Sequence, residues 1–422
     1  MRTSKSPQLQ AVFIGWTLTV SLILVLLGAL PVSAQITTWS GSTSNNWNTA
    51  GNWTSGVPTA STTAVFYSSG TNLDITLGGS TRSALGLLYN SSADSNVAIS
   101  GSTQLQIGSG GITIDAGSDG SHSIVNTNLG IRLTAAASST TTFTNNSAQT
   151  YTINSSVQST NASSLAFAGS GNFLFNFAGD AFVNTPLSGI TLNSAYTGTV
   201  TIAAGSRANA PNGDISVNGG AFRLDGTTHS EVSITINNGG TLLGSGTANN
   251  TSNTGIGIQV NSGGVVNPGA IAGTGTLTIN RTSTTFGAGS TLRLDLLSNT
   301  SYDQLRFTLI GTGTPLAPLT LTTTGSGVAL NINLLTGFSA NLNDTFSIVN
   351  GFSSRTGTFA GLANNATFTE GAYTFRINYN VSDIALTVTN VVPEPTTTAY
   401  MLVLLPAAFW AYFPRRRKTS HA

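Results

Sequence analysis

Apolar residues recur at every second position in short runs along most of the chain: Val232, Ile234 and Ile236; Leu292, Leu294 and Leu296; Leu330, Ile332 and Leu334; Ile384, Leu386 and Val388. Successive side chains of an extended strand point to opposite faces, so this period predicts strands with one face buried and the other wet. No stretch from 35 to 391 sustains a helical period with caps, and Gly interrupts nearly every candidate. The body is expected to be all-β with little helix.

Glycine pairs punctuate the strands. Ile107-Gly-Ser-Gly110-Gly111, Ile236-Asn-Asn-Gly239-Gly240 and Val260-Asn-Ser-Gly263-Gly264 share one pattern, and Val217-Asn-Gly219-Gly220 is the same pattern one residue shorter. The last three pairs lie 20 and then 24 residues apart, the length of one rung of a solenoid. A glycine at φ > 0 turns the chain, and the Asn before it is expected to hydrogen-bond locally. The predicted fold is a parallel β-helix, or solenoid, in which each rung is stable only against its neighbours.

The two ends depart from this pattern. Arg2 and Lys5 lead into the apolar stretch from Ala11 to Leu30, followed by Pro31 and the small residues Ser33 and Ala34. This reads as a helical signal peptide processed between Ala34 and Gln35, with an uncleaved membrane anchor as the alternative. At the other end Val392-Pro393-Glu394-Pro395 breaks regular structure, an apolar run follows from Ala399 to Phe413, and Arg415, Arg416, Arg417 and Lys418 close it. With Thr396 to Thr398 the segment is about 18 residues, long enough for a transmembrane helix, and the basic cluster acts as a cytoplasmic stop-transfer signal that leaves the body on the far side.

Charge and composition narrow the function. Only 7% of residues are charged, and from 35 to 391 there are nine Arg, no Lys and thirteen acids, a net of −4. A mildly acidic body without a basic patch is not expected to bind nucleic acid. The chain has no Cys, which excludes disulfides, thiolate metal sites and cysteine nucleophiles.

The tail from Val392 to Lys418 resembles the PEP-CTERM sorting signal of Gram-negative bacteria. That resemblance implies recognition of Pro393, Glu394 and Pro395 by an exosortase, a membrane-embedded cysteine enzyme that cuts near the motif, with the secretion machinery and the inner membrane as further partners. Pro406 inside the apolar span is a departure, tolerated within a membrane helix. A plain C-terminal anchor is the alternative. The body resembles the autotransporter-associated (passenger-associated) β-strand repeat through Asn238-Gly-Gly-Thr-Leu242, Gly244-Ser-Gly-Thr247, Ser262-Gly-Gly264, Asn267-Pro268-Gly269 and Gly273-Thr-Gly-Thr-Leu277. Tyr302-Asp303-Gln304-Leu305, Asp344-Thr-Phe346, Gly357-Thr-Phe359 and Tyr379 look like the closing part of such a region. The chain thus divides into a signal peptide (1–34), a Trp-rich N-terminal cap (35–77), solenoid repeats (78–300), a C-terminal β region (301–391) and the sorting signal (392–422).

Candidate chemistry is sparse. Trp39, Trp47 and Trp53 either cap the solenoid end or form a row of indoles for stacking on sugars. Asp115 and Asp119, flanked by Gly117 and Gly120, are read as turn residues, with calcium ligation as the alternative. His122 and His229 are expected to be exposed loop residues. No spacing among the thirteen acids picks out the carboxylate pair that glycoside hydrolysis needs. No catalytic residue, metal site or cofactor is therefore assigned. The expectation is a non-enzymatic, exported surface or matrix protein of structural or adhesin-like type, passing through the inner membrane to the cell surface or beyond, with exopolysaccharide as a possible partner. The alternative is a carbohydrate-binding or polysaccharide-degrading β-helix.

Overall fold

The structure is a computed structural model that describes residues 35–392 except 127–129, 184–186, 210–213, 230–231, 250–255, 281–282 and 309–316. The signal segment ending at Ala34, both apolar end runs, Pro393-Glu394-Pro395 and Arg415 to Lys418 lie outside the described residues, while Gln35 opens the first strand, Gln35–Thr38. About 54% of the described residues are strand. One short 3₁₀ turn, Ala50–Asn52, is the helical element among the described residues. None of the described helices is long and apolar enough to cross a membrane.

Each turn of the chain lays down three strands, and each strand pairs in parallel with its counterpart one turn later. A first ladder runs through Ser206–Ala208, Thr227–Thr228, Thr247–Asn249 and Thr276–Asn280. A second runs through Ile215–Val217, Ile234–Ile236, Ile256–Val260 and Ser283–Phe286. The third runs through Gly220–Leu224, Gly240–Gly244, Val265–Pro268 and Thr291–Ser298. The three ladders enclose one core, so the all-β parallel solenoid read from the sequence is the observed architecture.

Register shows why the alternating pattern folds this way. Ile190, Ile215, Ile234 and Ile258 stack in the second ladder, and Phe222, Leu242, Val266 and Leu292 stack in the third, all buried. The intervening Thr191, Ser216, Thr235 and Gln259 form an outer column on the second ladder, half in water. A parallel sheet is normally covered on both faces. Here closure into a tube covers one face, and hydroxyls and amides wet the other.

The parallel pairing is unbroken across residues 78 and 301. Gln35–Thr38 already pairs in parallel with Thr62–Phe66, which pairs with Arg82–Tyr89. Gln304–Thr308 and Pro318–Leu321 extend the first and second ladders. The run ends where Asp383–Val391 pairs antiparallel with both Thr345–Asn350 and Tyr373–Tyr379. Of the alternating triplets, Leu292, Leu294 and Leu296 and the triplet from Ile384 to Val388 are fully buried. Leu330 and Leu334 are only half-buried, because Ala329–Ser339 is the last strand of the third ladder.

The glycine pairs do stack: Gly220 sits opposite Gly240 in register, and Gly264 follows one residue before Val265, the partner of Thr241. Their two members have different roles, however. Gly239 takes φ +83 in open space, the nearest atom to an added Cβ being the Asn218 carbonyl oxygen at 3.5 Å. Gly240 does not adopt a left-handed φ, yet an added Cβ would lie 2.2 Å from the Val217 carbonyl oxygen of the rung below. The Asn residues after the strand bond between rungs rather than locally. The Asn237 amide donates to Asn218 Oδ1 at 2.6 Å, and the Asn261 amide donates to Asn237 Oδ1 at 2.6 Å.

These distances predict an order of substitutions. Gly240→Ala forces two rungs apart and is expected to cost about 2–4 kcal/mol, whereas Gly239→Ala carries only backbone strain of about 1–2 kcal/mol. Urea midpoints of the two variants and the parent check this. A Gly240→Ala midpoint at or above that of Gly239→Ala would refute the close-approach role.

Candidate functional site

The outer face of the third ladder is the most site-like surface among the described residues. Period two places Thr199, Ala221, Thr241, Val265 and Thr291 in one outward column, aligned by register from rung to rung. Beside it run Arg223, Leu243, Asn267, Arg293 and Asn331. With the loop that carries Ile271 along one side, all of these residues except Arg223, which lies just beyond the rim, line an open groove of about 710 Å³. Ile271 is 68% exposed. Arg293 and Asn331 also line a second, polar hollow of about 460 Å³ that reaches Glu370.

Charge along this groove is balanced. Arg223 Nε donates to Asp225 at 2.6 Å, and the Arg293 guanidinium lies 3.8 Å from Asp295. Asn267 is 3% exposed, and its Oδ1 has no partner among the described residues. The surface therefore offers hydroxyls, amides and aliphatic groups at rung spacing, about 4.8 Å, without excess charge.

Beneath the rim lies a buried acidic pair. Asp303 accepts the Gly275 amide at 2.8 Å and the Asp295 amide at 2.8 Å, and Asp295 accepts the Asn333 side-chain amide at 2.7 Å. Both carboxylates are fully buried, and Asp295 Oδ2 has no partner. Burial pushes Asp303 up to about 7, although the two amides pull the other way. Asp303 thus ties the Gly273-Thr-Gly275 segment to the strand Thr291–Ser298, the physical job of the Tyr302-Asp303-Gln304-Leu305 motif.

The residues singled out from sequence fall in different places. Trp39, Trp47 and Trp53 are buried against one another and Phe66, with Trp39 and Trp53 ring centroids 4.9 Å apart. They belong to the core of the first rung and offer no row of exposed indoles. Asp115 closes a turn through its carbonyl, which accepts the Ser118 amide at 3.1 Å, and Asp119 is exposed. Among the described residues no group of three His, Asp or Glu is arranged to hold a metal.

His122 corrects the expectation of an exposed loop residue. It is 2% exposed and stacks on Tyr89 at 4.5 Å. The Val97 amide donates to Nδ1 at 3.3 Å, and Nε2 lies 2.8 Å from Ser118 Oγ. Ser118 spends its own proton on the Ala93 carbonyl, so Nε2–H donates and the ring is neutral. Burial lowers its pKa to about 4. Ser and Gly neighbours suggested a loop, but a rung corner with small residues leaves room for a ring to turn inward. His229 is half-buried.

The fold and groove define a parallel β-solenoid with a charge-balanced groove of mixed hydroxyl, amide and aliphatic lining. No protein-family model matches the chain, and no curated protein matches it.

The two buried titratable groups act on stability with opposite sign. Neutral His122 contributes stability that is present above about 6.5 and lost as pH falls towards 4. Asp303 contributes stability that is present below 3.8 and lost as pH rises towards 7. Their slopes offset each other between pH 4 and 6.5. His122→Gln is expected to make the urea midpoint fall with rising pH relative to the parent, and Asp303→Asn to make it rise, each by the equivalent of about 1–4 kcal/mol across the window. Superimposable pH profiles for parent and variants would show that neither group is desolvated as described.

Proposed function

We propose that this chain is an exported bacterial surface or matrix protein of structural or adhesin-like type, sorted through its C-terminal Pro-Glu-Pro segment. Support comes first from the build of the body. A rod of stacked rungs resists proteolysis without disulfides and presents a long, polar, hydroxyl-rich surface. Its buried His and Asp side chains are engaged in structural hydrogen bonds, as His122 and Asp303 illustrate. The PEP-CTERM resemblance from Val392 to Lys418 supplies the sorting step, with exosortase, the secretion machinery and the inner membrane as partners. The groove on the third ladder favours a second reading, carbohydrate binding, which is compatible with the first. Polysaccharide degradation is tested separately, by reducing-sugar release from a polysaccharide panel.

The tail gives the sharpest test. If it is only an anchor, Glu394→Ala changes nothing, because the apolar run and Arg415 to Lys418 hold the protein regardless. If it is a sorting signal, the variant precursor accumulates in the inner membrane of a host with an exosortase, while the parent is released. Fractionation and blotting against the body reads this out, and equal release of the two would leave the plain anchor standing.

A further inference from the structure

We propose that the groove on the outer face of the third ladder binds an uncharged linear glycan lying along the solenoid axis. The inference rests on the second reading above, carbohydrate binding, and names the class of glycan and the direction in which it lies.

The repeat of the surface favours a polymer. Thr199, Thr241 and Thr291 occupy every second rung of one column, separated by Ala221 and Val265, while Leu243 and Asn267 follow each other in the next column. A chain laid across these rungs meets hydroxyl and aliphatic positions in turn, at a period of about 4.8 Å per rung. Sugar rings carry the same alternation, with hydroxyls on the edge and C–H groups on the face. Ile271, exposed on the loop along the groove, provides an aliphatic wall for such a face.

The hydrogen-bonding surface and the charges agree. Asn267 Oδ1 lacks a donor among the described residues, and a half-turn of its amide exchanges that oxygen with the nitrogen. Hydroxyls can serve either arrangement, because each donates and accepts. An anionic polymer would need free cations, whereas Arg223 and Arg293 each face an aspartate of their own strand segment. A peptide strand would need an open sheet edge. On the groove floor every strand from Gly220–Leu224 to Thr291–Ser298 is paired on both sides. With the three indoles buried, affinity must come from many weak contacts along a chain rather than from one stacked ring.

The test is affinity electrophoresis of the full chain in mild detergent through gels containing hydroxyethylcellulose, galactomannan or dextran, with alginate and polygalacturonate as acidic comparators. At least one uncharged polymer is expected to retard the protein, with little change between low and moderate salt. Thr241→Ala/Thr291→Ala removes two hydroxyls from a half-exposed column and is expected to weaken retardation about tenfold. Thr241→Leu puts a bulkier side chain without a hydroxyl in the groove and is expected to abolish it. Each variant's far-UV spectrum checks that the fold is intact, and a shortened hexasaccharide of the retarding polymer is expected to compete poorly. Retardation by the acidic polymers alone, no retardation by any uncharged one, or full retention of binding by both variants would each overturn the proposal. Release from the membrane is read in a different assay, so glycan binding and sorting can fail independently.

Discussion

Every other feature of this protein depends on parallel backbone pairing between consecutive rungs. One rung holds three short strands and cannot bury its inward-facing Ile, Leu and Phe alone, but a neighbour above and below removes them from water and satisfies the backbone at once. This explains the composition: small residues at corners keep rungs close, and Thr, Ser and Asn wet the outside without adding like charges in register. The same demand sets the tolerance at Gly240, where the carbonyl of the rung below leaves no room for a methyl group. The amides of Asn218, Asn237 and Asn261 run parallel to the backbone ladder and add a side-chain hydrogen bond per rung at the corner.

A stack of this kind must also end. Open strand edges invite pairing with other chains. At the start, Trp39, Trp47 and Trp53 turn inward over Phe66, and Trp53 Nε1 donates to the Trp47 carbonyl at 2.7 Å, which folds the loop across the first rung. At the finish the strand direction reverses, and Thr367–Glu370, Tyr373–Tyr379 and Asp383–Val391 close the first ladder with antiparallel pairs. Arg355 lies over the Tyr379 ring at 4.6 Å, tying the last strand of the second ladder to this closing sheet. The closing pairs lie on the first ladder, away from the groove on the third.

The sides differ in how far the chain covers them. On the second ladder the outer column is a plain alternation of Thr, Ser and Gln. On the third, the loop through Ile271 lies beside the sheet and turns a flat face into a groove. The buried pair of Asp295 and Asp303 holds that wall in place through two backbone amides and Asn333. Surface shape here rests on polar groups that are themselves out of water.

The sequence by itself determined the class of the fold. Period two defines which side chains face inward, recurring glycine pairs mark the corners, and their 20- and 24-residue spacing sets the rung, because these are local properties of an extended chain. The apolar runs and basic residues near both ends, on which the sorting proposal rests, are local features too and need no folded core to be read. Only the tertiary structure decided which residues lie beside each other across rungs, since each contact there joins positions a full rung apart and the connecting loops vary in length. That is why the column of Thr241, Val265 and Thr291 looked like any wet face, and why Asp303 was legible as a motif but not as a clamp. His122 was misread for the same reason: its Ser and Gly surroundings describe a loop, while the partners that bury it, Tyr89 and Val97, come from the previous turn of the solenoid.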